Sequence, residues 1–200
     1  MFIFYKCPNN KNRLEYELQN KSSIQWMKWI ELKKHSIETM DYRYKEAYPD
    51  FNPKISEHGL QCVGVLDALL PDDVLNSLNE NELLLLLLAC YVHDIGLVTR
   101  KAPYSPLPHE NHFENGANFI FQEEWISIST PEKNALAYII KNHNTVISNK
   151  FYKDEIPNEL IINNKSIRLK LLIGLLQISD LYHHIIDVVW TNSKELSEKE

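Results

Sequence analysis

The sequence predicts an all-α protein, a bundle of helices around one apolar core. The 200 residues include only five glycines, and the nine prolines cluster between segments. Within those segments the apolar residues recur every three or four positions, which is the spacing of an amphipathic helix rather than a strand. A chain of this length can bury a substantial core without disulfides, so we expect it to fold alone.

The first predicted helix covers residues 22–34, after a start rich in Asn and Lys that we expect to be poorly ordered. Its apolar residues at helical spacing are Ile24, Trp26, Met27 and Ile30. We interpret residues 1–50 as an N-terminal helical extension packed on the core. A stripe of Trp26, Trp29 and Ile30 is most simply part of that packing, with a docking face for another chain as the weaker alternative.

Prolines mark the boundaries of the next three helices. Asn52-Pro53 introduces a helix over 55–70, and Pro71 stops it. A short helix follows over 74–78, and the next covers 82–95, where Gly96 is expected to end it. This last helix contains the longest apolar run, 83–92, which is too short for the roughly 18 residues of a membrane span and must therefore lie in the core.

The remaining segments complete the bundle. A loop with Pro103, Pro106 and Pro108 is a candidate lid or substrate rim. Helices are predicted over 113–123, 131–142 and 166–189, with a polar stretch over 144–164 before the last one. Residues 51–192 then form the main domain, and 193–200 a charged, solvated tail.

Charge and cysteine usage exclude several classes of protein. The formal net charge of −6 does not suggest the broad cationic surface that captures nucleic-acid backbones. Cys7, Cys62 and Cys90 are odd in number and form no CxxC pair, which argues against a disulfide framework and against a zinc ribbon. The start of the chain has no basic leader of the secretory kind. We expect free thiols, and a cytoplasmic protein.

Polar residues continue the apolar stripes of several helices. His93 follows Ala89 and Cys90 on the most apolar helix, with Asp94 beside it. An ionised carboxylate on a buried helix needs a partner that compensates its charge, and a metal cation is one of the few groups that do so strongly. Asp180, His58 and His143 occupy similar positions on other helices. Bundles build metal sites from facing helices in this way, although core carboxylates paired with histidine or lysine are the simpler alternative.

The order of these residues resembles that of a known family. His58, then His93-Asp94 within Cys90-Tyr91-Val92-His93-Asp94-Ile95-Gly96-Leu97, then Asp180, is similar to the HD superfamily of metal-dependent phosphohydrolases over roughly residues 55–186. The resemblance implies an HD-domain-like helical bundle in which His58, His93, Asp94 and Asp180 ligate a divalent metal.

The segments around His112 and His143 are similar to those that supply a second metal in binuclear members, where Asp94 would bridge both ions. One ion is expected, and two remain open. Nitrogen and oxygen ligands suit Mn, Fe, Co, Ni, Mg or Zn. The layout is also similar to HD modules that are joined to chaperone-type ATPase domains in bacteria, although this chain shows no ATPase region.

The implied function is hydrolysis of a phosphoester by metal-activated water, with a nucleotide, cyclic nucleotide or other small phosphoester as substrate. Asp94 is the candidate catalytic residue, since it could orient or deprotonate the water. Candidate substrate contacts, each more simply a solvated or partly buried residue, are Arg100, Lys101, His109 and His183.

The alternative function is a non-catalytic HD module that binds metal and nucleotide as a sensor or effector. The expected partner is a small phosphorylated substrate, with no extended nucleic acid and no membrane. A homo-oligomer, or a further domain beyond residue 200, remains open.

Overall fold

The computed structural model describes residues 12–47, 55–98, 112–143, 156–157 and 159–197. These residues form eight α-helices, one 3₁₀ helix and one two-stranded sheet, which confirms the all-α prediction. The 3₁₀ helix (His93–Val98) directly follows α5, and strands β1 (Leu160–Ile162) and β2 (Lys165–Ile167) precede α8. The α-helices are α1 (Arg13–Lys21), α2 (Ser23–Ala47), α3 (Ile55–Leu69), α4 (Asp72–Ser77), α5 (Glu80–Val92), α6 (His112–Gln122), α7 (Thr130–Asn142) and α8 (Leu169–Ser197).

Helix α5 lies at the centre of the fold, in contact with α1, α2, α3, α7 and α8. Every residue from Asn81 to Val92 is buried, because the helix is apolar on all sides. Its first turn is closed by a capping box between Asn79 and Glu82. Residues Glu80–Val98 are long and apolar enough to cross a membrane, but 89% of that apolar window is packed inside the protein, as in a core helix.

The predicted end of this helix is wrong. α5 stops at Val92, and the chain continues as the tighter 3₁₀ helix, with Gly96 inside it rather than after it. Gly96 is needed because α6 packs directly on its backbone. A Cβ at this position would lie 1.7 Å from the carbonyl oxygen of His112.

Four predicted helices agree with the structure to within two residues at each end: α3, α4, α6 and α7. The start of α7 follows from its sequence. The Ser129 side chain accepts a hydrogen bond from the backbone N–H of Glu132, and the Glu132 carboxylate accepts one from the backbone N–H of Ser129. This reciprocal cap satisfies N–H groups that have no partner within the helix.

The N-terminal helices differ from the prediction. Residues 13–21, expected to be poorly ordered, form α1, whose first turn is capped by the Asn12 side chain. The predicted apolar face of α2 is also wrong, because Ile24 and Met27 are 77% and 64% exposed. The residues that are buried instead recur at helical spacing and include two polar side chains. They are Gln25, Trp29, Leu32, Ser36 and Met40.

A hairpin that the sequence analysis missed precedes the last helix. Strands β1 and β2 pair antiparallel, with Ile161 opposite Ser166, so α8 begins at Leu169 rather than at residue 166. The turn consists of Asn163 and Asn164, both with left-handed backbones at φ 51° and 60°. Asparagine tolerates that conformation better than most residues do. α8 runs on to Ser197, beyond the predicted end at 189 and into the segment expected to be a solvated tail.

The predicted division into residues 1–50, 51–192 and 193–200 stays a prediction. The contacts of α1 and α2 bear on it, however, since both helices pack on α5. The indole N–H of Trp29 donates to buried Glu15 at 2.9 Å, and Lys28 pairs with buried Glu132 at 3.1 Å. The N-terminal helices therefore share the core and its polar contacts.

Candidate metal centre

Histidine and aspartate side chains from five elements meet at one end of α5. His93 and Asp94 begin the 3₁₀ helix, His112 is the first residue of α6, and His143 directly follows α7. His58 comes from the first turns of α3, and Asp180 lies within α8. The elements are far apart in sequence, so packing of the bundle alone brings these residues together.

The first group consists of His58, His93 and Asp180, with one oxygen of Asp94. The Nε2 atoms of His58 and His93 lie 3.0 Å apart, and Oδ1 of Asp180 lies 3.3 Å and 3.6 Å from them. Oδ2 of Asp94 lies 3.6 Å and 3.5 Å from the same two nitrogens. Ligand atoms each about 2.1 Å from one metal ion lie roughly 3.0–3.4 Å apart, so these spacings suit a shared cation.

The second group consists of His112 and His143, with the other oxygen of Asp94. The two Nε2 atoms lie 3.2 Å apart. Oδ1 of Asp94 lies 3.5 Å from Nε2 of His112 and 3.8 Å from Nε2 of His143. Asp94 thus stands between two sets of imidazoles and turns one oxygen to each.

Backbone carbonyls orient two of the rings. Nδ1–H of His93 donates to the carbonyl of Cys90 at 3.1 Å, and Nδ1–H of His143 donates to that of Ile140 at 2.6 Å. A carbonyl can only accept, so in the neutral ring these bonds place the lone pair on Nε2, the atom that faces the cluster. Metal-binding histidines are commonly oriented by such a bond.

Two glycines permit the close helix contacts that assemble the cluster. A Cβ on Gly59, the residue after His58, would lie 2.9 Å from the backbone of both Cys90 and Tyr91. Gly96 gives α6 the same close approach to the 3₁₀ helix. Side chains at these positions would push His58 away from α5 and His112 away from Asp94.

The charges of the cluster shift the pKa values of its members. Burial alone would lower the pKa of His93, but Asp94 and Asp180 outweigh it and raise the value to about 9. Burial would raise the pKa of Asp94, yet the neighbouring histidines His93, His143 and His58 hold it below its usual range. Burial and the nearby His93 lower the pKa of His143 to about 4. The two carboxylates therefore favour a positive charge among the imidazole nitrogens that surround them.

This donor set fits divalent metal. Imidazole and carboxylate groups suit Mn, Fe, Co, Ni or Zn, and these side chains lie close enough together to hold such an ion. His58, Asp94 and Asp180 are 15%, 19% and 21% exposed, whereas His93 is 1% exposed. The cluster can therefore be reached from one side while its inner wall stays buried.

One neighbour of this centre was not singled out by sequence. Cys62, assigned from sequence to the apolar stripe of α3, lies with Sγ 3.8 Å from Nε2 of His58. The available signal was its position one helical turn after His58, which places both side chains on the same face. The cysteine thus borders the first group.

The four predicted substrate contacts fall outside what the structure describes. Arg100, Lys101 and His109 lie outside the described residues. His183 lies on α8, one turn beyond Asp180, and its side chain is also outside the description. These residues stay predicted contacts.

The fold and the cluster together define a helical protein of the HD type. A family model described as HD-CE matches residues 48–184, well over half of the sequence, and the chain belongs to this family. The resemblance seen in the sequence is confirmed at the level of the HD-type domain. No curated protein and no solved structure gives a significant match.

Proposed function

We propose that the protein is a metal-dependent phosphohydrolase that cleaves a phosphoester bond in a nucleotide, a cyclic nucleotide or another small phosphoester. The observation that carries this proposal is the placement of Asp94, whose two oxygens face two separate groups of imidazole nitrogens. Membership of an HD-type family supports it. A structural ion pair would need one histidine partner, whereas this carboxylate has histidines on both sides.

In this proposal His58, His93, Asp94 and Asp180 hold one divalent ion. Asp94, His112 and His143 hold a second. Bound ions of this kind polarise a phosphoryl oxygen and lower the pKa of a water molecule toward neutrality. The protein's own contribution is to fix the ligand atoms, which the carbonyls of Cys90 and Ile140 do through the two ring N–H groups.

Asp94 is the proposed catalytic residue. Its pKa lies below the usual range, so it is ionised at neutral pH and can accept a hydrogen bond from a water molecule. The partial exposure of its side chain leaves room for that water on the open side of the cluster. Asp94 would thus position the nucleophile as well as bind metal.

The proposed substrate is small. A net charge of −6 disfavours capture of an extended polyanion, whereas a single phosphoester can be attracted locally by the metal centre. Arg100, Lys101, His109 and His183 remain the predicted substrate contacts. A cytoplasmic location and a link to chaperone-type ATPase domains likewise remain predictions of the sequence.

The test is phosphate release by the full chain after removal of metal and reconstitution with Mn²⁺, Zn²⁺ or Co²⁺. The substrates are a generic phosphodiester and a panel of nucleotides and cyclic nucleotides. The variant is Asp94→Asn, which keeps the shape of the side chain and removes its charge. The matched control is Asp73→Asn, an exposed residue in the first turn of α4.

We expect metal-dependent hydrolysis in the wild type and in Asp73→Asn, and a loss of roughly 100-fold or more in Asp94→Asn, as when a central catalytic group is removed. Bound metal without turnover on any substrate would favour the sensor or effector alternative. A wild type that binds no metal after reconstitution would overturn the proposal.

A further inference from the structure

Cys62 shares the inner side of the first metal group with His58. The two residues lie one turn apart on the same face of α3, and Sγ lies 3.8 Å from Nε2 of His58. Cys62 is fully buried, so solvent does not compete for its sulfur. Its position is fixed by the same helix that positions a predicted ligand.

The sulfur belongs geometrically to a compact set of ligand atoms. One atom each from His58, Cys62, His93 and Asp180 lie within 4.8 Å of one another. A sulfur about 2.3 Å and a nitrogen about 2.1 Å from the same ion lie roughly 3.1–3.8 Å apart at ligand angles of about 90–120°, which includes the 3.8 Å separation found here. These four atoms, together with Oδ2 of Asp94, can therefore approach one cation.

The simpler explanation is that Cys62 is a buried thiol that packs as a small apolar residue. Cys90 provides the comparison, since it is equally buried and lies on the neighbouring face of α5. The compact set of ligand atoms includes Cys62 and not Cys90. Burial is thus common to both cysteines, and proximity to the ligand atoms distinguishes Cys62.

We propose that Cys62 is a fifth protein ligand of the ion held by His58, His93, Asp94 and Asp180, bound through its thiolate sulfur. This inference rests on the proposed metal-dependent function and deepens it, because it concerns which metal the site selects. Thiolate ligands favour Zn²⁺, Co²⁺ or Fe²⁺ over Mn²⁺ and Mg²⁺. The first position then prefers the softer metals, while the second, with only imidazole and carboxylate ligands, does not share that preference.

The test is the absorption spectrum of the full chain, stripped of metal and loaded with Co²⁺. Thiolate coordination gives an intense near-ultraviolet charge-transfer band, whereas imidazole and carboxylate ligands give only weak visible bands. The variants are Cys62→Ser, with Cys90→Ser and Cys7→Ser as matched controls for the other sulfurs. Metal content of each sample is measured in parallel.

We expect the charge-transfer band in the wild type and in both controls, and its loss in Cys62→Ser with the visible cobalt bands retained. Zn²⁺ affinity should fall by roughly 10- to 100-fold in Cys62→Ser, with a smaller change for Mn²⁺. A wild type that binds Co²⁺ without the band, or a band that survives in Cys62→Ser, would overturn the role of Cys62 alone. Failure of the wild type to bind any Co²⁺ would overturn this inference together with the proposed function.

Discussion

The imidazoles of His112 and His143 meet with their Nε2 atoms 3.2 Å apart, although one residue begins α6 and the other follows α7. Both nitrogens also lie within 4 Å of the same oxygen of Asp94. Two histidines in contact gain little from each other unless a proton or a metal ion lies between them. Their arrangement therefore suits either a shared hydrogen bond or the second metal ion that the sequence left open.

Metal stoichiometry tests this arrangement. We expect His143→Ala to lose the second ion and keep the first, and Asp94→Asn to weaken binding of both, because each oxygen of Asp94 serves one group. Lys141→Ala is the matched control, since Lys141 is exposed near the end of the same helix. The measurement is metal content per chain after dialysis. Equal metal content in His143→Ala and wild type would contradict a second ion.

Glycine substitutions test the packing that assembles the centre. Gly96→Ala should destabilise the protein by about 1–3 kcal/mol or more, because its Cβ would collide with the backbone of His112. Gly174→Ala is the control within α8, because nothing lies within 4 Å of the added Cβ. Alanine has the better helix propensity, so this variant should be more stable than the wild type by up to about 1 kcal/mol. Urea unfolding of both variants gives the free energies. A Gly96→Ala variant as stable as the wild type would show that α6 does not pack as described.

The buried carboxylate of Glu82 predicts a pH-dependent stability. Burial would raise its pKa, but hydrogen bonds from Arg168 and Asn79 outweigh burial and hold the pKa below its usual range. A carboxyl group with a lowered pKa in the folded state stabilises that state above its unfolded pKa. The contribution is lost as the pH falls through the folded pKa.

Glu82→Gln should therefore lower the free energy of unfolding by about 2 kcal/mol near neutral pH, with a difference from wild type that shrinks below about pH 4. Urea unfolding of both proteins at a series of pH values measures this difference in the free energy of unfolding. Glu38→Gln, on the exposed side of α2, should change stability by less than about 0.5 kcal/mol at any pH. A difference for Glu82→Gln that stays constant with pH would rule out an ionised Glu82 as its source.

Trp29 tests whether the N-terminal helices belong to the cooperative core. It is fully buried, bonds to Glu15 and packs edge-on against Tyr91 of α5 at 5.6 Å between ring centres. We expect Trp29→Ala to lower the free energy of unfolding by about 3–5 kcal/mol. The protein should still unfold in one transition, at a lower denaturant concentration, and circular dichroism and intrinsic fluorescence should report the same midpoint. Exposed Met27→Ala should leave that transition in place. Separate early unfolding of α1 and α2 in the wild type would instead indicate an independent extension.

Local patterns in the sequence were enough for much of the fold. Ser129 and Glu132 form a cap that can be recognised from their spacing, and α7 begins where that cap places it. Asn12 and the Asn163-Asn164 turn are equally local signals, but the periodicity of apolar residues does not detect them, so it predicts neither α1 nor the hairpin. The buried face of α2 differs from the prediction for another reason. Gln25 and Ser36 lie inside, where the Gln25 amide donates to Asn81 and the Ser36 hydroxyl donates to the carbonyl of Leu32, and hydropathy alone does not predict buried polar residues.

The candidate ligands could be named from sequence because each continues an apolar stripe or matches the order of the HD family. The resemblance also implied a second group of His112 and His143 with Asp94 between the two groups, but it left one ion or two open. Whether Asp94 faces one set of histidines or two depends on how closely α6 approaches the 3₁₀ helix, and that distance is set by the missing side chain of Gly96. Cys62 and His58 lie close because they are one turn apart on α3, but whether both face the cluster depends on which side of α3 meets α5, where Gly59 permits the close contact.

The sequence by itself determined the helical class, the central apolar helix and the histidines and aspartates that converge, since these follow from periodicity, from residue chemistry and, for His112, from the resemblance to the HD superfamily. Only the tertiary structure decided that Asp94 divides its oxygens between two groups and that a cysteine sulfur borders the first of them. The physical reason is that ligand spacing of a few ångströms is set by contacts between elements distant in the chain, and a linear pattern does not contain those distances.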